Sequence, residues 1–410
     1  MKKFFALFLG ILTAIGGFVD IGDMVTNATV GSRFGMSLAW VVVLGVIGIC
    51  VFAEMSGRVV AMSGRPTFDI IRERLGPRVG LVNLVGSMAV TLLTFVAEVG
   101  GVALALELAT SVWSYFWIPF TAAAVWLVLW RAKFSLVENT FGLLGLALVV
   151  FGVALWHLGP DWSQLWTQAA TADKPDAEAW PSYWYYAIAL FGAAMTPYEV
   201  FFFSSGGVEE GWSARSLPTM RVNVLIGFPL GGVLSLAIAG AAAVTLLPVG
   251  IEVGTLGQVG LPVSLALGKL GLAVAILGFF AATFGAACET GLAVGYSIAQ
   301  YFGWQWGKFV RPREAARFHA VVLLSAILAA VVLLTTIDPI LVTEFSVVFS
   351  AVALPLTYLP ILIVANDRDY MRDRANGVVT NTLGTVYLLI VLLASLAAVP
   401  LMIWTKMGTT

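Results

Sequence analysis

The stretch FGAAMTPYEVFFFSS, residues 191–205, places Thr196, Tyr198 and Glu199 around Pro197 in the middle of an apolar segment. A second such place is GGFVDIGDMVTN, residues 16–27, where Asp20 and Asp23 lie deep in a hydrophobic run and glycines occupy positions 16, 17 and 22. A carboxylate at membrane depth costs roughly 3 kcal/mol or more unless it is protonated, paired or bound to a metal, so it marks function by default. Proline deletes one backbone donor and clashes with the preceding turn. Both segments therefore read as helices that unwind midway and expose carbonyls, near Gly17 in the first and Ala193 in the second. The chemistry on offer is oxygen ligation: carboxylates from Asp20, Asp23 and Glu199, a hydroxyl from Thr196 and a phenol from Tyr198. Hard oxygen ligands suit Mg²⁺, Mn²⁺ or Ca²⁺, whereas soft sulfur favours later transition metals. No Cys or His stands in either motif, and Met195 is only adjacent. Three carboxylates in one cavity leave excess negative charge, which a proton, another partner or a strongly charged hydrated cation would balance.

The elements that must hold these groups are membrane helices. The 410 residues are 60% hydrophobic and 11% charged, with mean hydropathy +0.95, far from the soluble balance of about half apolar and a quarter charged. Apolar runs long enough to cross a bilayer recur along the chain. They are continuous rather than alternating, which argues against a β-barrel. Eleven helices are expected, near 4–31, 36–61, 81–110, 113–130, 138–158, 183–208, 222–247, 264–300, 316–336, 341–364 and 379–404. The N-terminus, two lysines before an apolar core, mimics a signal peptide but reads as the retained first helix.

With the N-terminus inside, eighteen of the 22 Lys and Arg fall on the cytoplasmic side, and only Arg33, Lys174, Lys269 and Lys406 outside. The positive-inside rule then gives a cytoplasmic N-terminus and an external C-terminus in a cell (inner) membrane. The longest external loop, residues 157–182, is acidic and Trp-rich and suits the interface. Cys50 and Cys288 read as buried small hydrophobes. Glu54, Glu107 and Glu138 lie near helix ends and read as solvated. The run GGVLSLAIAGAAA, residues 231–243, reads as small-residue helix packing.

The two interrupted helices are the first and the sixth, five apart. Interruption at matching positions of two halves points to an inverted-repeat transporter with its site at the bilayer midplane. The whole chain, 1–410, then forms one transmembrane domain. Its repeats span about 4–158 and 183–364, and 379–404 is an extra final helix.

The residues resemble a family. DIGDMVTNATVGSRFGMSLAWVVVL (20–44) is similar to the first-helix region of the Nramp metal transporters, where the unwound motif reads Asp-Pro-Gly-Asn. GAAMTPYEVFFFSS (192–205) resembles their sixth-helix Met-Pro-His-Asn motif. SGRPTFDIIRERLGPR (63–78), AEVGGVALAL (97–106) and ALPLTYLPILIVANDRDYM (353–371) are similar to the loop after the second helix, the third helix and the tenth. The resemblance runs in order along nearly the whole chain and implies a LeuT-like all-helical fold with alternating access. By position it makes Asp20 the metal-binding aspartate, with the carbonyls of Gly17 and Ala193 as backbone ligands.

Departures stand beside the matches. Ile21 replaces the motif proline, Asp23 the asparagine, Thr196 the metal-binding methionine, Tyr198 the histidine and Glu199 the next asparagine. Phe95 appears where a third-helix aspartate is usual, while Glu98 is kept. Losing the thioether removes the soft ligand that disfavours Mg²⁺, as in divergent Nramp-related branches that carry magnesium or aluminium. Losing two titratable groups breaks the proton route; Glu98 could carry a proton alone or satisfy a hydrogen bond. Glu289 on the eighth helix reads either as a partner of the site or ion path, or as a helix-packing hydrogen bond. No phosphate-binding loop or nucleophile constellation is present, so the chain is expected not to be an enzyme. The expected activity is a secondary transporter or facilitator of Mg²⁺ or Mn²⁺, with the ion as substrate and no cofactor. The alternative is a small organic, cationic or amino-acid-like solute on the same fold, with cation–π faces from Tyr198 and Phe201 to Phe203. A non-transporting receptor or sensor is a third class. The bilayer is the expected surrounding, with neither nucleic acid nor an obligate protein partner.

Overall fold

The computed structural model describes residues 18–132, 134–308 and 310–409. The expected first-helix segment 4–17, with Gly17, lies outside the described residues. Among the described residues, every regular element is helical. In chain order they are α1 Ile21–Phe34, α2 Ala39–Ser63, α3 Thr67–Leu75, α4 Pro77–Thr110, α5 Ser114–Arg131, α6 Phe134–Gly145 and α7 Val150–Leu158. There follow α8 Trp162–Thr171, α9 Trp180–Ala194, α10 Pro197–Glu209, α11 Leu217–Thr245, α12 Leu256–Phe302, α13 Ala316–Leu334, α14 Pro339–Ala365 and α15 Val378–Trp404, besides a one-turn helix at Arg368–Met371 and four 3₁₀ turns. Nine stretches among the described residues are long and apolar enough to span a membrane. Helix α5 is not one of them: three tryptophans, Pro119 and the terminal Arg131 dilute its apolar run.

Two expected spans and one loop differ in detail. The fifth is two helices, α6 and α7, joined by a 3₁₀ turn at Leu146–Val149. The eighth starts earlier, at Leu256, and bends at Gly268, whose φ of 66° and ψ of −157° interrupt the helix. Only glycine tolerates that conformation without strain. The segment 256–267 thus lies ahead of the bend as a separate short helix, opened by a capping box between Thr255 and Gln258. The long loop 157–182, expected outside, holds a helix of its own, α8, whose N-cap Asp161 accepts from the amides of Ser163 and Gln164. Those two amides hold the Asp161 carboxyl below its usual range.

Small residues set the helix spacing around the site. A Cβ on Gly31 of α1 would stand 2.1 Å from the carbonyl oxygen of Ala239 on α11, and one on Gly192 of α9 would stand 2.2 Å from that of Val347 on α14. Close backbone approach of this kind stands in for hydrophobic sorting between membrane helices. Gly31→Val is therefore expected to abolish recovery of monodisperse protein in detergent, read by size-exclusion chromatography, while Ser32→Val is tolerated. A monodisperse Gly31→Val protein of wild-type thermal stability would contradict this packing.

Ionic links tie the two membrane faces. On the Arg-rich face Glu54 accepts from Arg58 of its own helix and from Arg221 of α11, so it is paired rather than merely solvated. Glu107 likewise accepts from the Ser114 amide at 2.8 Å, and the side chain of Glu138 lies outside the described residues. On the opposite face Arg33, at the end of α1, holds Glu178 in a bidentate pair at 2.8 Å and donates to the Gly408 carbonyl. Cys50 and Cys288 are buried free thiols.

Candidate ion site

Helix α1 begins where the sequence requires a break. Asp20 is its N-cap: the backbone is extended (φ −98°, ψ −176°) and Oδ1 accepts from the Asp23 amide at 2.8 Å. A cap of this type satisfies a donor that the helix leaves orphaned. Gly22 is demanded by the crowding there, since a Cβ would meet Asp20 Oδ1 at 3.1 Å and Val347 at 2.8 Å. Glu98 of α4 reaches the same turn, its Oε1 accepting from the Ile21 amide at 3.2 Å.

The second break falls between Ala194 and Pro197. Met195 (φ −127°, ψ 58°) and Thr196 (φ −68°, ψ 134°) leave the helical region, and Pro197 opens α10 at its first position. The N–H that would close onto the Ala193 carbonyl belongs to residue 197, a proline, so that carbonyl has no helical donor. Thr196 is the N-cap of α10 and donates from Oγ1 to Glu199 Oε2 at 3.5 Å, while Tyr198 donates to Asp20 Oδ2, also at 3.5 Å. The two breaks thus touch through Tyr198 and Asp20.

Between them lies a narrow cavity of about 10 Å³, lined by Asp20, Glu98 and Thr196, with Thr94 of α4 and Thr343, Ser346 and Ser350 of α14 among its walls. A space of this size takes one water or one bare ion. Its walls are rich in hydroxyls. Thr94 and Ser346 hydrogen-bond each other at 2.7 Å, and Ser350 Oγ and Glu98 Oε2 are buried without a hydrogen-bond partner.

The remaining carboxylates divide. Asp23, 1% exposed, accepts at Oδ2 from the Ser235 hydroxyl of α11 at 2.5 Å and at Oδ1 from the Asn27 side-chain amide at 2.8 Å. Both its oxygens bind protein groups, and it fastens α1 to α11. Glu199, 5% exposed, keeps Oε1 unpartnered and lies within electrostatic reach of Asp20, Asp23 and Glu289, and also of Cys50 and Tyr358. Glu289, half-buried on α12, is within reach of Glu98 and Tyr198. Met195 turns away, packing its sulfur against Gly48 of α2. Among the described residues, no three of His, Cys, Asp and Glu converge closely enough to hold a metal ion by themselves. An ion between the breaks would meet two carboxylates on the cavity wall, Asp20 and Glu98, then neutral oxygens: the Thr196 hydroxyl, backbone carbonyls and water.

Sequence reasoning missed Ser235 and the α14 hydroxyls. Ser235 sits in a run of small residues that reads as packing, and the α14 hydroxyls carry no charge to flag them.

The sequence comparisons agree on one family, and the structural ones on the fold. Residues 10–400 match the family model described as natural resistance-associated macrophage protein-like (Nramp). The chain is 27% identical over 403 residues to the divalent metal cation transporter MntH of Aeromonas hydrophila subsp. hydrophila, covering 95% of both chains. It is 24% identical over 399 residues to MntH of Erwinia tasmaniensis, covering 95% of this chain and 92% of that one. The fold resembles the Eremococcus coleocola manganese transporter, with TM-score 0.67, 18% identity, and 98% and 93% of the two chains covered. It also resembles Mhp1, a nucleobase-cation-symport-1 family transporter in a closed conformation, with TM-score 0.64, 16% identity, and 98% and 92% covered.

Proposed function

The chain belongs to the Nramp family, and from that premise we propose that it carries a divalent cation, Mg²⁺ or Mn²⁺, across the membrane by alternating access. Members of this family are transporters rather than enzymes, and this chain is a multi-pass membrane protein. The observation that carries the proposal is the meeting of two helix breaks at Asp20, Tyr198 and Thr196 around a cavity of ionic size. In our reading Asp20, Thr196 and the Ala193 carbonyl hold the ion. Glu199 and Glu289 supply negative potential from further off, Tyr198 gates the contact between the breaks, and Asp23 holds α1 in place. Gly17, outside the described residues, would add the carbonyl of the first break.

The donor set favours a hard ion. Mg²⁺ dehydrates reluctantly and keeps several waters, and the hydroxyls of Thr94, Thr343, Ser346 and Ser350 can hydrogen-bond water that stays on it. A cavity of this volume does not accommodate a solute of several heavy atoms, which weighs against the organic-cation alternative. The two halves act as inverted repeats, and the Arg-rich face is the cytoplasmic one.

Transport is uncoupled from protons in this reading. Phe95 and Tyr198 replace two titratable groups, and a tyrosine stays protonated at neutral pH, so it neither takes up nor hands on protons readily. A divalent ion gains about 4.6 kcal/mol per 100 mV of membrane potential, twice the single-charge figure, and needs no further driving force. The test is proteoliposomes holding a pH dye, given Mg²⁺, Mn²⁺, Ca²⁺ or an amine under a negative internal potential. Uptake of Mg²⁺ or Mn²⁺ without acidification is expected. Acidification that tracks ion uptake would refute the uncoupled reading, and uptake of the amine alone would refute the ion.

A further inference from the structure

The N-terminus of α1 carries a problem that Asp20 cannot solve alone. A helix that starts inside a membrane exposes orphan amides with no bulk water to receive them. Asp20 takes the Asp23 amide through Oδ1. The Ile21 amide is a separate donor, present only because residue 21 is not proline; a proline there would have no N–H to satisfy. Its acceptor is Glu98 Oε1, 77 residues away on α4, and Glu98 is fully buried. The other oxygen of Glu98 forms no hydrogen bond, and the residue lines the same cavity as Asp20.

We propose that Glu98 is a positioning residue: by accepting the Ile21 amide it pins the first turn of α1 to α4 and so aims Oδ2 of Asp20, the oxygen that meets Tyr198, at the ion. This deepens the proposed function, and it rests on the reading that Asp20 holds the ion. One further observation fits. Ile21 packs against α4, its Cδ1 lying 2.5 Å from where a Cβ on Gly101 would be, so the amide bond and the side-chain contact fix the same turn.

The role needs an acceptor atom at this position, not a titrating group. Glu98→Gln keeps a carbonyl oxygen in place; Glu98→Met keeps the volume and loses the acceptor. Mn²⁺ binding to purified protein is measured by isothermal titration calorimetry for wild type, both variants, Ile21→Pro and Ile21→Pro/Glu98→Met. An unsatisfied buried donor weakens the assembled site, so Glu98→Met is expected to bind about tenfold more weakly, with Glu98→Gln within about threefold of wild type. Ile21→Pro removes the donor itself, so adding Glu98→Met to it is expected to cost less than about threefold more. Backbone hydrogen exchange at residues 20–24 should rise in Glu98→Met and stay unchanged in Glu98→Gln. A Gln variant as damaged as the Met variant, or a Glu98→Met loss that is undiminished in the Ile21→Pro background, overturns the proposal. Should Glu98→Met fail to fold, the Gln arm still decides, because loss of binding there is incompatible with a role that needs only an acceptor. Asp20→Ala, run alongside, separates the two readings. Normal binding in it removes the ion site, whereas lost binding in it with full affinity in Glu98→Met removes only the positioning role.

Discussion

Asp20→Ala is expected to lower Mn²⁺ or Mg²⁺ affinity by at least about 100-fold and to bring uptake to the level of empty liposomes. The outer partners of metal ligands typically cost 10–100-fold when removed, so a direct charged ligand costs at least the upper figure. The other carboxylate on the cavity wall, Glu98, is engaged by the Ile21 amide. Asp23 is committed to Ser235 and Asn27, and Glu199 sits beside Thr196 at the other break. The substitution also strips the cap from α1, because Oδ1 is the acceptor for the Asp23 amide. Asp20→Asn separates the two effects, since its amide oxygen can still cap while the charge is gone. Both variants should lose binding, and only Asp20→Ala should lose thermal stability, by the roughly 1 kcal/mol of an N-cap. Binding titrations and uptake assays check the first point, and detergent melting curves the second. Wild-type uptake in Asp20→Asn would mean that the ion does not meet this carboxylate.

The parts of this molecule that were readable in the sequence are those where one residue's covalent chemistry decides its local structure. Pro197 cannot donate to the Ala193 carbonyl, so the break at Met195 and Thr196 follows from the proline alone. Asp20 in an apolar run between glycines announces a cap or a ligand, and it is the cap of α1. Long apolar runs placed most of the nine spans among the described residues within a few residues, the eighth excepted, and the Nramp resemblance anticipated the family match. What could not be read depends on which helix lies opposite. Asp23 looks equivalent to Asp20 in sequence, yet α11 sets Ser235 against it at 2.5 Å. Glu98 meets the Ile21 amide only because α4 crosses the start of α1. The bend at Gly268 has no proline to announce it, and glycine occurs 42 times in the chain, so composition cannot single it out. Glu54 reads as a solvated carboxylate until Arg221 arrives from α11.

Thr196→Met is expected to move selectivity toward Mn²⁺ and Cd²⁺ and away from Mg²⁺, by about tenfold or more in the affinity ratio. Thr196 lines the cavity with Asp20 and belongs to the unwound pair between α9 and α10. A thioether there would offer a soft donor that Mg²⁺ binds poorly and Cd²⁺ binds well. Met195 does not already supply one, because its sulfur is packed against Gly48. The substitution has a cost that falls on every ion alike. Methionine is longer than threonine, and the cavity of about 10 Å³ has little spare room. Overpacking of this sort costs about 1–3 kcal/mol, so absolute affinities can fall while the ratio shifts, and the ratio is the quantity to measure. Thr196→Val is the control. It keeps the shape, removes the hydroxyl that donates to Glu199, and adds no sulfur, so it should weaken Mg²⁺ and Mn²⁺ together and leave their ratio near wild type. Competition of Mg²⁺ and Cd²⁺ against Mn²⁺ uptake in liposomes reads all three proteins. Thr196→Met and Thr196→Val giving the same ion ratio would show that residue 196 does not contact the ion, and the site would then have to be built from Asp20 and backbone carbonyls alone.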